Sequence, residues 1–340
     1  MKKNKLTLFL FILLSAIAAY LYYTNKTSTI KEELKDFAVK DTASITKIFL
    51  ADKDGNKITL DKISANHWKV NNKYDARNDA VDLLLQTMYQ LEVKSPVSKA
   101  AFNTVVKTMA VQSKKIEIYQ GGDQPSKVYF VGHSTQDNLG TYMLLENSAM
   151  PFVMCVPGFM GYLTTRFILQ ENEWRDTKIF RYEISDIQSV EVNYFEKTEN
   201  SFLLHKNKDG KFIFKSLHTS KTIENIDKEA ALGYFASFKN VNCEFYVLEI
   251  NPATKDSIIQ HCKKFTITIT DSFGTKNTAK AFNKPIKKGE LDVNGNPILY
   301  DIDRMYGLIN DDKDFVIIQY YVFDPLTPPI SYFHNVQNVK

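Results

Sequence analysis

The chain has 340 residues, of which 44% are hydrophobic and 24% are charged, with 23 Phe and 18 Tyr available for a core. This length and composition indicate a folded protein with room for two domains. The formal net charge is only +4, and the sequence contains no run of five or six basic residues, so we predict no binding to nucleic acid.

The N-terminal segment has the character of a membrane span. Residues 6–23, LTLFLFILLSAIAAYLYY, contain no charged residue, Gly or Pro, and as a helix they would cover about 27 Å of the ~30 Å hydrocarbon core. The preceding Lys2, Lys3 and Lys5 predict a cytoplasmic N-terminus. The alternative is a signal peptide cleaved after Ala18. We predict a cytoplasmic stub and transmembrane anchor at residues 1–23.

The anchor predicts the location of the remaining chain. Residues 24–42 read as a polar tether, and everything beyond them is expected on the far side of the membrane. The protein is therefore predicted to be a single-pass protein of the bacterial inner membrane, with its N-terminus inside and a periplasmic or extracellular ectodomain.

The first part of the ectodomain alternates strand and helix signals. ITKIFLADKDGNKITL reads as two strands joined by a turn at Asp54-Gly55, and HWKV as a further strand. Residues 76–91 carry apolar side chains at helical spacing. The remaining elements follow in order: EVKSP, a shorter helix in SKAAFNTVVKTM, and then KKIEIYQ and TYMLLENSAMPFV. We predict an α+β repeat over residues 43–174.

The same order of elements then recurs. A Lys-Asp-Gly turn lies between strands in FLLHKNKDGKFIF, and residues 226–241 form the next helical pattern. The later elements of the first copy are also matched, by EFYVLEINP, a shorter helix in TKDSIIQHC, and then KKFTITITD and MYGLINDDKDFV. We predict a seam at residues 175–186 and a second α+β repeat at residues 187–340. Each repeat should be a largely antiparallel sheet with helices packed on one face.

These elements resemble a known family. The chain is similar to membrane-anchored bacterial proteins of domain of unknown function 4340. The similarity lies in the anchor and in the stretches ITKIFLADKDGNKITL, HWKVNNKYDARNDAVDLLLQTM, LEVKSPV, GTYMLL and WRDTKIF. The resemblance covers most of residues 1–250. Its motifs are structural and imply no catalytic residue. Association with ABC-type transport or gliding-motility components implies an accessory role in the envelope.

Two loops invite comparison with a calcium loop, which needs oxygen ligands at positions 1, 3, 5 and 12 and Gly at position 6. The loop at residues 50–61 fails at position 1, which is Leu50. ELDVNGNPILYD fits better and makes Glu290, Asp292, Asn294 and Asp301 the metal candidate of the sequence. Because Asn-Gly and Asp-Gly are strong hairpin signals, we interpret both loops as turns.

Signals for other chemistry are weak. The six histidines lack zinc-site spacing, although His205 and His218 flank the second Lys-Asp-Gly turn and could face each other across a hairpin. Gly-x-Ser-x-Gly is absent, as is a Gly-rich phosphate loop. We predict no catalytic residue and no cofactor. Cys243 and Cys262 are interpreted as buried thiols, with a disulfide as the alternative.

Function is therefore expected to lie in binding. We predict a non-enzymatic envelope component that binds or positions a protein partner, as an accessory to a transport or motility system. The alternative is an envelope glycan-binding or hydrolytic protein, although Trp68 and Trp174 lie where a core strand and the seam are predicted. VPGFMGYL, residues 156–163, reads as a packed loop or an exposed contact surface.

Overall fold

The computed structural model describes residues 11–17, 20, 35–207, 209–223, 226–286, 289–291 and 295–333. The chain divides into two compact units, the first ending at Asp176 and the second beginning at Thr177, inside the predicted seam. Within the described residues each unit contains a nine-stranded sheet whose strand pairings are antiparallel. The α+β class and the antiparallel sheets are thus confirmed.

The anchor falls mostly outside the described residues. Residues 11–17 and 20 are helical, whereas the rest of the predicted span at residues 6–23 and most of the tether at residues 24–42 are not described. Among the described helices, none combines the length and the apolar character that crossing a membrane requires.

The first unit is built on one sheet with the strand order β4-β3-β2-β1-β6-β7-β8-β9-β5. Its strands are β1 (Lys47–Ala51), β2 (Lys57–Ser64), β3 (His67–Val70), β4 (Tyr74–Asp75), β5 (Glu92–Pro96), β6 (Lys114–Tyr119), β7 (Lys127–Ser134), β8 (Thr141–Leu145) and β9 (Phe152–Cys155). Its helices are α1 (Asn78–Gln90), α2 (Lys99–Gln112) and α3 (Glu171–Trp174), with a 3-10 turn at Thr164–Arg166.

One face of this sheet carries the main core. Along β1 the buried Ile48 and Leu50 alternate with half-exposed neighbours, as the two-residue period of a strand requires. Helix α1 buries Val81, Leu84 and Met88 in the same cluster. The alternation of the strands and the helical stripe therefore meet on this face.

Helix α2 lies on the opposite face, so the prediction of helices on one face was wrong. Val105 and Met109 of α2 pack with Phe130 and Leu144, whereas Tyr129, the neighbour of Phe130, belongs to the main core. The consecutive apolar residues of β7 are buried on both sides of the sheet, and α2 covers the second side.

The second unit has the order β14-β13-β12-β11-β17-β18-β19-β20-β16 and a separate pair, β10 with β15. Position by position, this order repeats that of the first unit. Its strands are β10 (Lys178–Phe180), β11 (Ile187–Tyr194), β12 (Phe202–Lys206), β13 (Phe212–Ser216), β14 (Thr222–Ile223), β15 (Val241–Asn242), β16 (Phe245–Tyr246), β17 (Lys263–Asp271), β18 (Lys276–Pro285), β19 (Tyr300–Ile309) and β20 (Asp314–Gln319).

The helices of the second unit also lie on both faces. They are α4 (Lys228–Ala236), α5 (Pro252–His261) and α6 (Tyr320–Phe323), with 3-10 turns at Thr198–Asn200, Asp324–Leu326 and Ile330–Phe333. Helix α4 contributes Tyr234 and Phe235 to the main core, while Ile258 of α5 packs with Phe282 on the other side. Cys155, Cys243 and Cys262 are free thiols.

Candidate functional site

The first calcium-like loop is a hydrogen-bonded turn. Asp52 Oδ1 accepts from the backbone N–H groups of Asp54 and Asn56 at 2.9 and 3.0 Å, and Asp52 Oδ2 accepts from Asn56 Nδ2 at 2.8 Å. Burial alone would raise the pKa of Asp52, but the hydrogen bonds from Asn56 and the backbone hold it below its ordinary value. Gly55 takes a φ of +90°. The Asp52 carboxylate thus serves the turn itself.

The second loop is only partly described, because Asp292 and Asn294 lie outside the described residues. Asp301 Oδ2 pairs with Lys284 Nζ at 2.8 Å, and Asp301 Oδ1 accepts from the backbone N–H groups of Asp303 and Arg304, each at 2.9 Å. The part of the chain that the structure describes holds no group of three His, Cys, Asp or Glu side chains suited to a metal ion. The calcium candidate with Glu290 and Asp301 stays a prediction.

Other residues singled out in the sequence lie apart or in the core. His205 on β12 is opposite Ile213 and Ser189, and His218 lies beyond the end of β13, so the two histidines do not face each other. Trp68 is 3% exposed and Trp174 is fully buried. Neither tryptophan offers an open aromatic face.

The segment at residues 156–163, here called the apolar loop, is buried at its ends and exposed at its tip. Val156 and Leu163 belong to the core. Between them Phe159 is 39%, Met160 84% and Tyr162 39% exposed. The two sequence interpretations of this segment therefore each describe a part of it, because its ends pack and its tip faces solvent.

The start and the tip of the loop are held in place. Gly158 takes a φ of +77°, which favours glycine because a Cβ is strained there, and Phe159 N–H donates to Val156 O at 3.1 Å. The Arg166 guanidinium lies 4.2 Å from the centre of the Phe159 ring and donates to Thr87 Oγ1 at 2.9 Å. Arg166 thus connects the tip of the loop to helix α1.

The end of the loop is fastened to the sheet. Leu163 N–H donates to Thr141 Oγ1 at 2.6 Å, and Thr164 Oγ1 donates to Gly132 O at 2.8 Å. Lys114 Nζ donates to Thr164 O and Phe167 O at 3.0 and 2.5 Å, and burial lowers the pKa of Lys114. These contacts present the exposed tip on a fixed backbone.

The tip of the loop presents side chains of the kinds found at protein contacts. Met and aromatic side chains are enriched in the buried cores of protein interfaces, and a fixed backbone reduces the entropy lost on binding. Sequence reasoning missed the residues that hold the loop, Lys114, Thr141 and Arg166. Their partners lie 53, 22 and 79 residues away along the chain, so no local pattern could indicate them.

Comparison with known proteins identifies a family. Residues 68–259 match the model described as Domain of unknown function (DUF4340), and this stretch makes up more than half of the 340 residues. It includes the apolar loop and the residues that hold it. No curated protein and no solved structure matches the chain. The chain belongs to the DUF4340 family.

Proposed function

We propose that the protein is a non-catalytic binding or scaffold component of the bacterial cell envelope that docks a protein partner through its apolar loop. Residues 6–23 would anchor it in the inner membrane, with both units on the periplasmic or extracellular side. The observation that carries the proposal is the exposed Phe159, Met160 and Tyr162 on a backbone fixed at both ends. The partner would belong to a transport or motility system.

The partner should accept an apolar tip. Desolvating Met160 and the two rings supplies the free energy, at about 25 cal/mol per Å² of apolar surface. The guanidinium of Arg166 is already engaged by the Phe159 ring and by Thr87. We therefore expect an apolar groove on the partner rather than an acidic one.

Site-specific crosslinking tests this proposal. A photoreactive phenylalanine analogue would replace Met160, and as a matched control it would replace Val111, which is also exposed in the first unit, at 67%. We expect a discrete adduct in intact cells from position 160 that is absent from position 111 and is weakened by Tyr162→Asp. Equal adducts from both positions, or none from position 160, would refute docking through the loop.

The hydrolytic alternative is not part of the proposal. Glycoside hydrolysis uses two carboxylates on either side of the scissile bond. A cleft beside Trp68 is lined, among the described residues, by one carboxylate, that of Asp82.

A further inference from the structure

A cleft of about 470 Å³ lies between helix α1, the β2–β3 turn and the segment at residues 42–43. Trp68 and Leu85 form its apolar wall. Trp68 has only 3% of its surface exposed, so it closes the base of the cleft rather than projecting into solvent. The size falls within the usual range of small-molecule sites, about 300–1,000 Å³.

Three polar side chains converge on this cleft from different elements. Asn66 comes from the β2–β3 turn, and Asn78 and Asp82 come from α1. In the part of the chain that the structure describes, none of the three side chains makes a hydrogen bond. Asn71 is different, since it accepts from Thr59 N–H and donates to Glu171 Oε2. The cleft is thus lined by amide and carboxylate groups that make no hydrogen bond within the described chain.

The charges in the cleft are nearly balanced. Lys62 Nζ donates to Ala43 O at 2.6 Å and lies 5.9 Å from the centre of the Trp68 ring. Among the described residues, the Asp82 carboxylate is the other charged group that lines the cleft. One fixed cation and one carboxylate favour a neutral ligand over either an anion or a cation.

We propose that this cleft binds a neutral saccharide. Sugar hydroxyls both donate and accept, so the amides of Asn66 and Asn78 can bond them in either sense, and the Asp82 carboxylate can accept from two neighbouring hydroxyls. The C–H face of a sugar ring would lie on Leu85, since Trp68 is too deeply buried to offer its ring face. This site shares no residue with the apolar loop and adds a second binding activity to the first unit.

Calorimetric titration of the full-length protein in detergent tests the inference. The probes are tri-N-acetylchitotriose and maltotriose, with trialanine as a peptide probe. Asp82→Ala removes the carboxylate of the cleft. Asp79→Ala is its matched control, because it removes a carboxylate from the same helix that pairs with Arg77 and does not line the cleft.

We expect saturable binding of at least one trisaccharide and none of trialanine. Because a hydrogen bond to a charged group contributes about 1.5–3 kcal/mol, Asp82→Ala should weaken that binding about ten- to hundredfold, and Asn78→Ala should weaken it less. Asp79→Ala should leave the affinity unchanged. The inference is overturned if neither trisaccharide binds, if trialanine binds as well as they do, or if the two aspartate variants have the same affinity.

Discussion

Two buried tyrosines, one in each unit, differ in what their hydroxyl groups contact. Tyr129 is fully buried between the rings of Phe37 and Phe167, at centroid distances of 6.2 and 6.3 Å. Its hydroxyl has no hydrogen-bond partner among the described residues, and burial raises its pKa. Tyr234 is 1% exposed, and its hydroxyl donates to Leu326 O at 2.9 Å. The pair allows one substitution to be compared in two environments.

Replacing each tyrosine with Phe should change stability in opposite directions. An unpartnered buried polar group costs about 1–3 kcal/mol, and Phe fills the same space without a cavity. We therefore expect Tyr129→Phe to raise the unfolding free energy of the first unit by about 1–3 kcal/mol. Tyr234→Phe removes a hydrogen bond and leaves the carbonyl of Leu326 unpaired, so it should lower that of the second unit by about 1–2 kcal/mol.

Differential scanning calorimetry of the full-length protein measures both effects. For units of this size, 1 kcal/mol shifts the melting temperature by about 2–4 °C, which is readily resolved. Parallel urea titrations would show whether the slope of unfolding stays constant, as a pure stability change requires. If Tyr129→Phe lowers the melting temperature as Tyr234→Phe does, the Tyr129 hydroxyl is hydrogen-bonded in solution and the reasoning fails.

Three further predictions concern turns and ion pairs. Gly158→Ala should destabilise the first unit by about 1–2 kcal/mol in urea titrations, because its φ of +77° strains a Cβ; an unchanged midpoint would contradict this. Asp52→Ala should lower the melting temperature by the same amount in calcium and in a chelator. If calcium raises the melting temperature of the unsubstituted protein and Asp52→Ala abolishes this shift, the loop is a calcium site. The pKa of Asp301 is held below its ordinary value, because its hydrogen bonds and its pairing with Lys284 outweigh burial. The stability that Asp301 contributes should therefore be fully present above the ordinary pKa of an aspartate and disappear as pH falls through its pKa in the folded protein. In melting curves recorded at decreasing pH, Asp301→Asn should lose less stability on acidification than the unsubstituted protein.

Features that depend on local chemistry could be predicted from the sequence. The turn at Asp54-Gly55 joins β1 to β2 as expected, because an Asp-Gly pair favours a tight turn independently of residues far away in the sequence. Helix α1 occupies Asn78–Gln90 within the predicted residues 76–91. Its buried stripe begins at Val81 and leaves Leu83 44% exposed. The rotation of the helix about its axis depends on where the sheet lies, and the helix sequence alone does not determine that position.

Features that depend on distant contacts could not be predicted. The face chosen by α2 follows from a sheet buried on both sides, and the run Tyr129-Phe130-Val131 on β7 was a signal of this. The hydrogen bonds from Lys114 to the loop carbonyls join residues 50 and 53 positions apart. Such pairs arise only when the sheet has assembled.

The repeated strand order provides an internal control for the apolar loop. In the second unit β20 passes directly into α6 and the turn Asp324–Leu326, where Phe323 and Leu326 are buried. In the first unit the corresponding strand, β9, is followed by the apolar loop before the chain reaches the buried Leu163 and Phe167. The second unit completes its core at this position without such a loop, and this difference between the units supports the proposed docking role of the exposed Met160.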